Sequence, residues 1–172
     1  VTDDLTYLKD GKHFIHSSEV EGYNPLYLYN MSGKLVRQIT DGDWEVSEFV
    51  GYDEKNDRLY YMSTEVSPLD RHLYSISSKG RRKDRLTEKP GTHNINMSND
   101  FKYYLDYYSA ANTPLTVSLH TAKDGKLIKV LEDNEQLKNT LAQYAISEKE
   151  FLIINLENGA KLNAWMIKPA DF

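Results

Sequence analysis

Five histidines, at positions 13, 16, 72, 93 and 120, are the first residues of this sequence to invite chemistry, since neutral imidazole serves both as a metal ligand and as a general base. Their spacing argues for ordinary strand and rim positions instead. His13 and His16 stand three apart, which suits a helix but puts them on opposite faces of a strand. Ser17, Ser63 and Ser109 recur at the ends of matching segments, where a repeated hydroxyl is better suited to satisfying backbone groups in a turn than to nucleophilic attack. Asp41-Gly42-Asp43 opens like a calcium loop but lacks the later acidic ligands, and reads as a turn. Trp44 could face a substrate; the reading adopted is a flat wedge packed between sheets. Asn30-Met-Ser32 and Asn96-Met-Ser98 match the N-glycosylation pattern, which short sequences often match by chance.

The totals narrow the function classes. The 172 residues are 40% hydrophobic and 27% charged, with a formal net charge of -5 and a mean hydropathy of -0.64, a globular composition. The 21 basic residues are scattered except at Arg81-Arg82-Lys83, so an acidic chain with one basic turn is a poor nucleic-acid binder. The absence of Cys excludes disulfides, thiolate zinc sites and a Cys nucleophile. No stretch approaches the roughly 18 consecutive apolar residues of a membrane span. Val1 is not Met and the first residues read like mid-domain sequence, so the natural start, with any signal peptide, is expected upstream.

The elements that hold these side chains come from a repeat. Gly33-Lys-Leu-Val-Arg-Gln-Ile-Thr40, Gly80-Arg-Arg-Lys-Asp-Arg-Leu-Thr87 and Gly125-Lys-Leu-Ile-Lys-Val-Leu-Glu132 align, with glycines 47 and 45 residues apart. Each follows a short strand-like run, and upstream of each lies an aromatic run, at 13–17, 58–63 and 102–109. A further crossing strand is read around 45–51 and 92–97. Four antiparallel strands in about 45 residues describe a propeller blade, and the glycines supply the positive φ of tight hairpins. A β-sandwich does not explain the near-constant period. Thirteen tyrosines, several in pairs such as Tyr60-Tyr61, suggest sheets packed on both faces.

The predicted fold is therefore all-β, a partial β-propeller of about three four-stranded antiparallel blades at about 5–48, 49–93 and 94–133. Three blades do not close a ring, so the chain is expected to be a piece of something larger. Asp133 is expected to cap a short helix running through Leu137, Leu141 and Tyr144, with Gln136 completing a capping box. A hairpin turning at Glu157-Asn158-Gly159 breaks the blade period. The expected division is 1–145 for the propeller and 146–172 for linker and hairpin.

In this order, Glu21-Gly-Tyr23, Gly42-Asp-Trp-Glu-Val46, Leu59-Tyr-Tyr61-Met-Ser63, Lys102-Tyr-Tyr104, Val130-Leu-Glu-Asp-Asn134 and Met166-Ile-Lys-Pro169-Ala-Asp-Phe172 resemble dipeptidyl peptidase IV and its bacterial relatives. The resemblance implies the second half of an eight-bladed propeller followed by the first hairpin of an α/β-hydrolase domain. It implies a parent serine exopeptidase that removes N-terminal dipeptides, after Pro or Ala, with a Ser-Asp-His triad. None of that machinery maps here: there is no Gly-x-Ser-x-Gly elbow, and the family's adjacent Glu pair belongs to an earlier blade, Glu19 and Glu21 being separated by Val20.

The expectation is thus a non-catalytic segment that scaffolds and gates the parent's active site, inactive alone, with no catalytic, substrate-binding, cofactor or metal residue assigned. Its partners would be the missing propeller half and hydrolase domain of the same chain, peptide substrates reached through that domain, and possible second copies in a homodimer. The location implied is the periplasm, cell surface or exterior of a bacterium. Rival readings are a stand-alone periplasmic propeller acting as a binding module, and the propeller of an acylaminoacyl or prolyl oligopeptidase. The hairpin is expected to fold back onto the last blade or to pair with another copy, Phe151, Ile153, Leu162, Ala164 and Met166 supplying its apolar side chains.

Overall fold

A computed structural model describes residues 5–20 and 22–169. Glu21 and Ala170-Asp-Phe172, parts of two of the motifs above, lie outside the described residues. Twelve strands form three four-stranded antiparallel sheets, each paired in chain order. The first holds β1 (Leu5–Tyr7), β2 (His13–Ser17), β3 (Leu26–Asn30) and β4 (Leu35–Gln38). The second holds β5 (Val46–Asp53), β6 (Arg58–Ser63), β7 (His72–Ile76) and β8 (Asp84–Arg85). The third holds β9 (Thr92–Met97), β10 (Tyr103–Ala110), β11 (Thr113–Thr121) and β12 (Leu127–Glu132). The aromatic runs take equivalent places in the three sheets, as the repeat predicts, but as the second strand of each and not the first. This is a partial propeller of three blades.

The blade edges at 48/49 and 93/94 need correction. Val46 pairs with Ser63 and Tyr104 with Met97, so the runs around 46–53 and 92–97 open the next sheet; they do not close the previous one. Counting the period from the glycine turns hid this. The chain changes sheets in the loops at 39–45 and 86–91, leaving β1 as the first strand of blade one.

Those glycine turns set the spacing between sheets. A Cβ at Gly80 would lie 2.8 Å from the Ile39 carbonyl oxygen of the first sheet, and one at Gly125 would lie 2.4 Å from the Leu86 oxygen of the second. All three repeat glycines have positive φ, but a Cβ at Gly33 would meet nothing within 4 Å. Seven residues after the first two glycines, a buried threonine completes the blade: Thr40 Oγ1 accepts from Leu26 N at 2.8 Å, and Thr87 Oγ1 from Leu73 N at 3.0 Å. Each hydroxyl satisfies a buried amide that would otherwise be costly.

The core divides between two seams. Ile15 and Leu26 from the first sheet meet Val46, Leu59, Tyr61 and Tyr74 from the second; Tyr60, Met62 and Leu73 meet Ile95, Tyr104 and Ala122 of the third. Tyr60 and Tyr61 thus pack into opposite seams, at 3% and 0% exposure, and the middle sheet is covered on both faces. In the third sheet Tyr104 is buried and its neighbour Tyr103 is 45% exposed.

Helix α1 (Glu135–Leu141) is shorter than expected and starts differently. Its N-cap is Asn134, with φ 54° and no side-chain cap hydrogen bond, while Asp133 Oδ1 accepts from Glu135 N at 3.0 Å. The left-handed turn at Asn134 displaces Asp133 from the capping position. The hairpin of β13 (Lys149–Asn155) and β14 (Lys161–Ile167) forms where predicted. It does not fold back onto blade three: it is tied there by Asn112, whose amide donates to Lys149 O at 3.0 Å and accepts from Lys149 N at 2.9 Å. Its apolar residues also divide differently. Register puts Phe151, Ile153, Trp165 and Ile167 on one face and Leu152, Ile154, Leu162, Ala164 and Met166 on the other. Phe151 and Trp165 are 55% and 59% exposed, Leu162 49%, so both faces are open.

Gly125→Ala should cost ~2–4 kcal/mol, from positive-φ strain and collision with the Leu86 carbonyl, against ~1 kcal/mol for Gly33→Ala. Chemical denaturation of the two variants measures the difference.

Candidate functional site

Strands alternate in direction, so the loops β2–β3, β4–β5, β6–β7, β8–β9 and β10–β11 all emerge at the end where β12 leads into α1 and the hairpin. There, between the first two sheets, lies an open cavity of about 570 Å³ lined by Glu19, Tyr23, Asp43, Trp44, Glu45 and Arg71, among others. Three carboxylates face one guanidinium, giving the cavity an acidic character suited to cationic groups. Asn24 spans the seam beneath it, its amide donating to Val46 O at 3.0 Å.

Trp44 belongs to both wall and core. Its ring stacks on Tyr61 at 6.1 Å and 9°, and Lys83 Nζ stands 5.5 Å from its centroid while forming an ion pair with Glu65. The indole folds over Gly42, where a Cβ would come within 2.0 Å of Nε1. Asp41-Gly42-Asp43 is thus the turn that seats Trp44. Stacked on Tyr61 and packed against the first core seam, the side chain works chiefly as the predicted wedge.

Basic residues 81–83 disperse: Arg82 approaches Asp57 at 3.6 Å and Lys83 pairs with Glu65. Asn30 Oδ1 accepts from Ser32 N and Lys34 N within a turn, whereas Asn96 is exposed on β9. Ser63 is buried and its Oγ accepts from Glu65 N at 3.0 Å; Ser17, equally buried, has no hydrogen-bond partner for Oγ among the described residues. Ser109 lies half-buried beside the bulge in β10. The buried Tyr74 hydroxyl is pushed up to about 12, by burial first and then by the Glu65 charge.

The histidines do not converge as a set, and among the described residues no group of three or more His, Cys, Asp or Glu is arranged to hold a metal ion. His13 Nδ1 meets Asp10 Oδ2 at 2.6 Å near the surface, and the His16 ring lies against Tyr29. His72 and His93 come together, with ring centroids 5.2 Å apart. His120 stacks on Tyr104; its Nδ1 lies 2.9 Å from Gly125 O, leaving Nε2 to accept from Ser118 Oγ at 2.8 Å. Two features escaped sequence reasoning, the Ser118–His120 contact and a buried His93–Asp106 pair at 2.9 Å. The first was available as an i, i+2 spacing on one strand face, the second only through the β9–β10 register.

The family described as dipeptidyl peptidase IV (DPP IV) N-terminal region matches residues 1–115. Dipeptidyl peptidase 4 of Arthroderma otae is 29% identical over 164 residues, covering 94% of this chain and 21% of that protein. Dipeptidyl peptidase 4 of Trichophyton rubrum is 27% identical over the same length and shares of coverage. The crystal structure of Porphyromonas gingivalis dipeptidyl peptidase 4 superposes with a TM-score of 0.89 at 39% identity, covering 98% of this chain and 24% of that one. The chain therefore spans about a fifth of the length of the curated relatives it matches.

If Trp44 is a wedge, Trp44→Ala should cost ~2–4 kcal/mol of stability, whereas Glu19→Gln at the exposed cavity rim should change it by less than ~0.5 kcal/mol. Paired denaturation curves test this.

Proposed function

Because the chain belongs to the dipeptidyl peptidase IV N-terminal region family, we propose that it is a scaffold segment of a serine exopeptidase that releases dipeptides from peptide N-termini, after Pro or Ala. The observation that carries this is the hairpin at 149–167, an apolar ribbon with two open faces, hydrogen-bonded to blade three at the loop end through Asn112. Two strands are marginal in water, so such a ribbon calls for a sheet beside it and layers above and below. An α/β-hydrolase domain, beginning in this hairpin and covering the loop end, supplies both. The stand-alone binding module leaves the ribbon without a purpose.

The open faces of the blade array support the same reading. Ile39 and Leu86, each under the next blade's glycine, are 4% and 5% exposed, but the equivalent Leu131 is 49% exposed. Further blades beyond Leu131 and before Gly33 would bury what these three leave bare. The acidic cavity then forms part of a chamber wall through which peptides pass, and the segment's contribution to catalysis is to hold that wall still. The location that goes with this reading is the periplasm or surface of a bacterium, which fractionation of cells expressing the parent would test.

The chain alone should not hydrolyse a chromogenic Gly-Pro substrate, while the full-length parent should, with turnover abolished by a serine-directed inhibitor. Turnover by the isolated chain that survives repurification would overturn the scaffold reading. In the parent, Phe151→Asp combined with Leu162→Asp should sharply reduce soluble, active enzyme by placing charge on both hidden faces.

A further inference from the structure

The chain leaves the blade array after Glu132 and meets it again at Lys149, where Asn112 receives it. Asn112 lies in the turn between β10 and β11, at the loop end of blade three. Its side-chain amide donates to Lys149 O at 3.0 Å and accepts from Lys149 N at 2.9 Å, across 37 residues of sequence. A primary amide carries a donor and an acceptor side by side, as a peptide group does, so it can stand in for a residue of a neighbouring strand.

The register shows Asn112 in that place. Leu156 N donates to Ala160 O at 2.8 Å where the hairpin closes, and ladder bonds alternate pair by pair along antiparallel strands. Counted from there, Lys149 and Ile167 form a pair that exchanges no hydrogen bonds. Lys149 therefore turns both N–H and C=O away from β14, and Asn112 takes both. The turn itself does not require asparagine: the non-glycine residues with positive φ among those described are Asp57, Arg82, Phe101 and Asn134. An open cavity of about 820 Å³ lies under the contact, lined by Pro114, Leu141, Tyr144, Ile146 and Ile167 among others. Helix α1 has no buried residue, and Tyr144 and Ile146 after it are 65% and 62% exposed. At the exit, Asn134 Nδ2 donates to Leu115 O of β11. Two asparagine amides, one near each end of 133–148, thus tie this excursion to blade three.

We propose that Asn112 is a positioning residue for the peptidase reaction: by holding the first residue of β13, it sets the orientation of the hydrolase domain against the propeller wall. This rests on the reading above, in which the hairpin opens that domain. On that reading the acidic cavity and the serine nucleophile lie on opposite sides of the joint, and a peptide meets both in working geometry only while the joint is fixed. A displacement of about 1 Å, caused far from the reacting atoms, already costs a large factor in rate. A small reagent that attacks the serine directly does not span the joint and does not depend on it.

The test uses the full-length parent. Asn112→Ala removes both hydrogen bonds; Asn112→Asp keeps the acceptor for Lys149 N but sets a carboxylate against Lys149 O. Each should lower kcat/KM for the chromogenic Gly-Pro substrate about tenfold, while labelling by a small phosphonofluoridate stays within about twofold of the wild-type rate. Labelling that falls in step with turnover marks a general structural loss and would overturn the proposal, as would variants with wild-type turnover. A second readout needs no activity. Spin labels at Lys123→Cys and Glu157→Cys, with any other cysteines of the parent replaced, report the distance from the far turn of blade three to the hairpin tip. Asn112→Ala should broaden or shift that distribution, and an unchanged distribution would sink the role of Asn112. A wild-type parent that neither turns over the substrate nor takes the label would defeat the exopeptidase reading instead, and the distance measurement then decides the joint by itself. Should Asn112→Ala not fold, Asn112→Asp carries every measurement.

Discussion

The array depends on one contact, made twice: a glycine in the second and in the third blade lying against a backbone carbonyl of the blade before it. At Gly80 and Gly125 the space for a side chain is already taken by the oxygens of Ile39 and Leu86. The contact fixes how close neighbouring sheets come, and with it the depth available for the rings between them. Tyr104 makes the dependence concrete: its ring fills the second seam, and its hydroxyl donates to the same Leu86 oxygen at 3.1 Å. A wider seam would lose that hydrogen bond and loosen the packing around it.

With spacing fixed, the seams are free to differ in chemistry. The first is closed by a stack of Trp44, Tyr61 and Tyr74 over aliphatic side chains, an arrangement that needs no charge. The second combines Tyr60 stacked on Phe101 with the polar group around His93. Burying polar groups is costly unless they are hydrogen-bonded, and here the Asp106 carboxylate and the Lys89 carbonyl oxygen flank the two ring nitrogens of His93. An aromatic stack in one seam and a buried polar group in the other leave both faces of the middle sheet covered.

Much of the fold was legible because the repeat carries its signals in residue types: glycine where φ is positive, aromatics on the second strand, Asn-Gly at the last turn. The sheet boundaries were not, since Val46 and Thr92 carry strand-forming patterns wherever the sheet divides; only pairing shows which neighbour they join. The role of Thr40 and Thr87 stood in the alignment as a match at the seventh position, but nothing local says that a hydroxyl there reaches an amide fourteen residues back. The His93–Asp106 pair needed the register as well. Tyr108 faces His93 across β9 and β10, and Asp106 is its diagonal neighbour, a relation that a linear reading thirteen residues apart does not suggest. The open cavity was less legible still, because its residues come from three loops of unrelated sequence.

The third repeat departs from the first two where they agree, with Glu132 at the threonine position. Its carboxylate accepts from Asn134 N at 2.7 Å, and the left-handed Asn134 then starts α1. A hydroxyl that ties a blade's last strand to its neighbour has become a carboxylate that turns the chain out of the array. Glu132-Asp133-Asn134 is therefore a stop signal written into the repeat itself. Anyone building longer propellers by concatenating these units would have to restore threonine at 132 and remove the turn that follows, because copying the third unit as it stands would end the series at every junction.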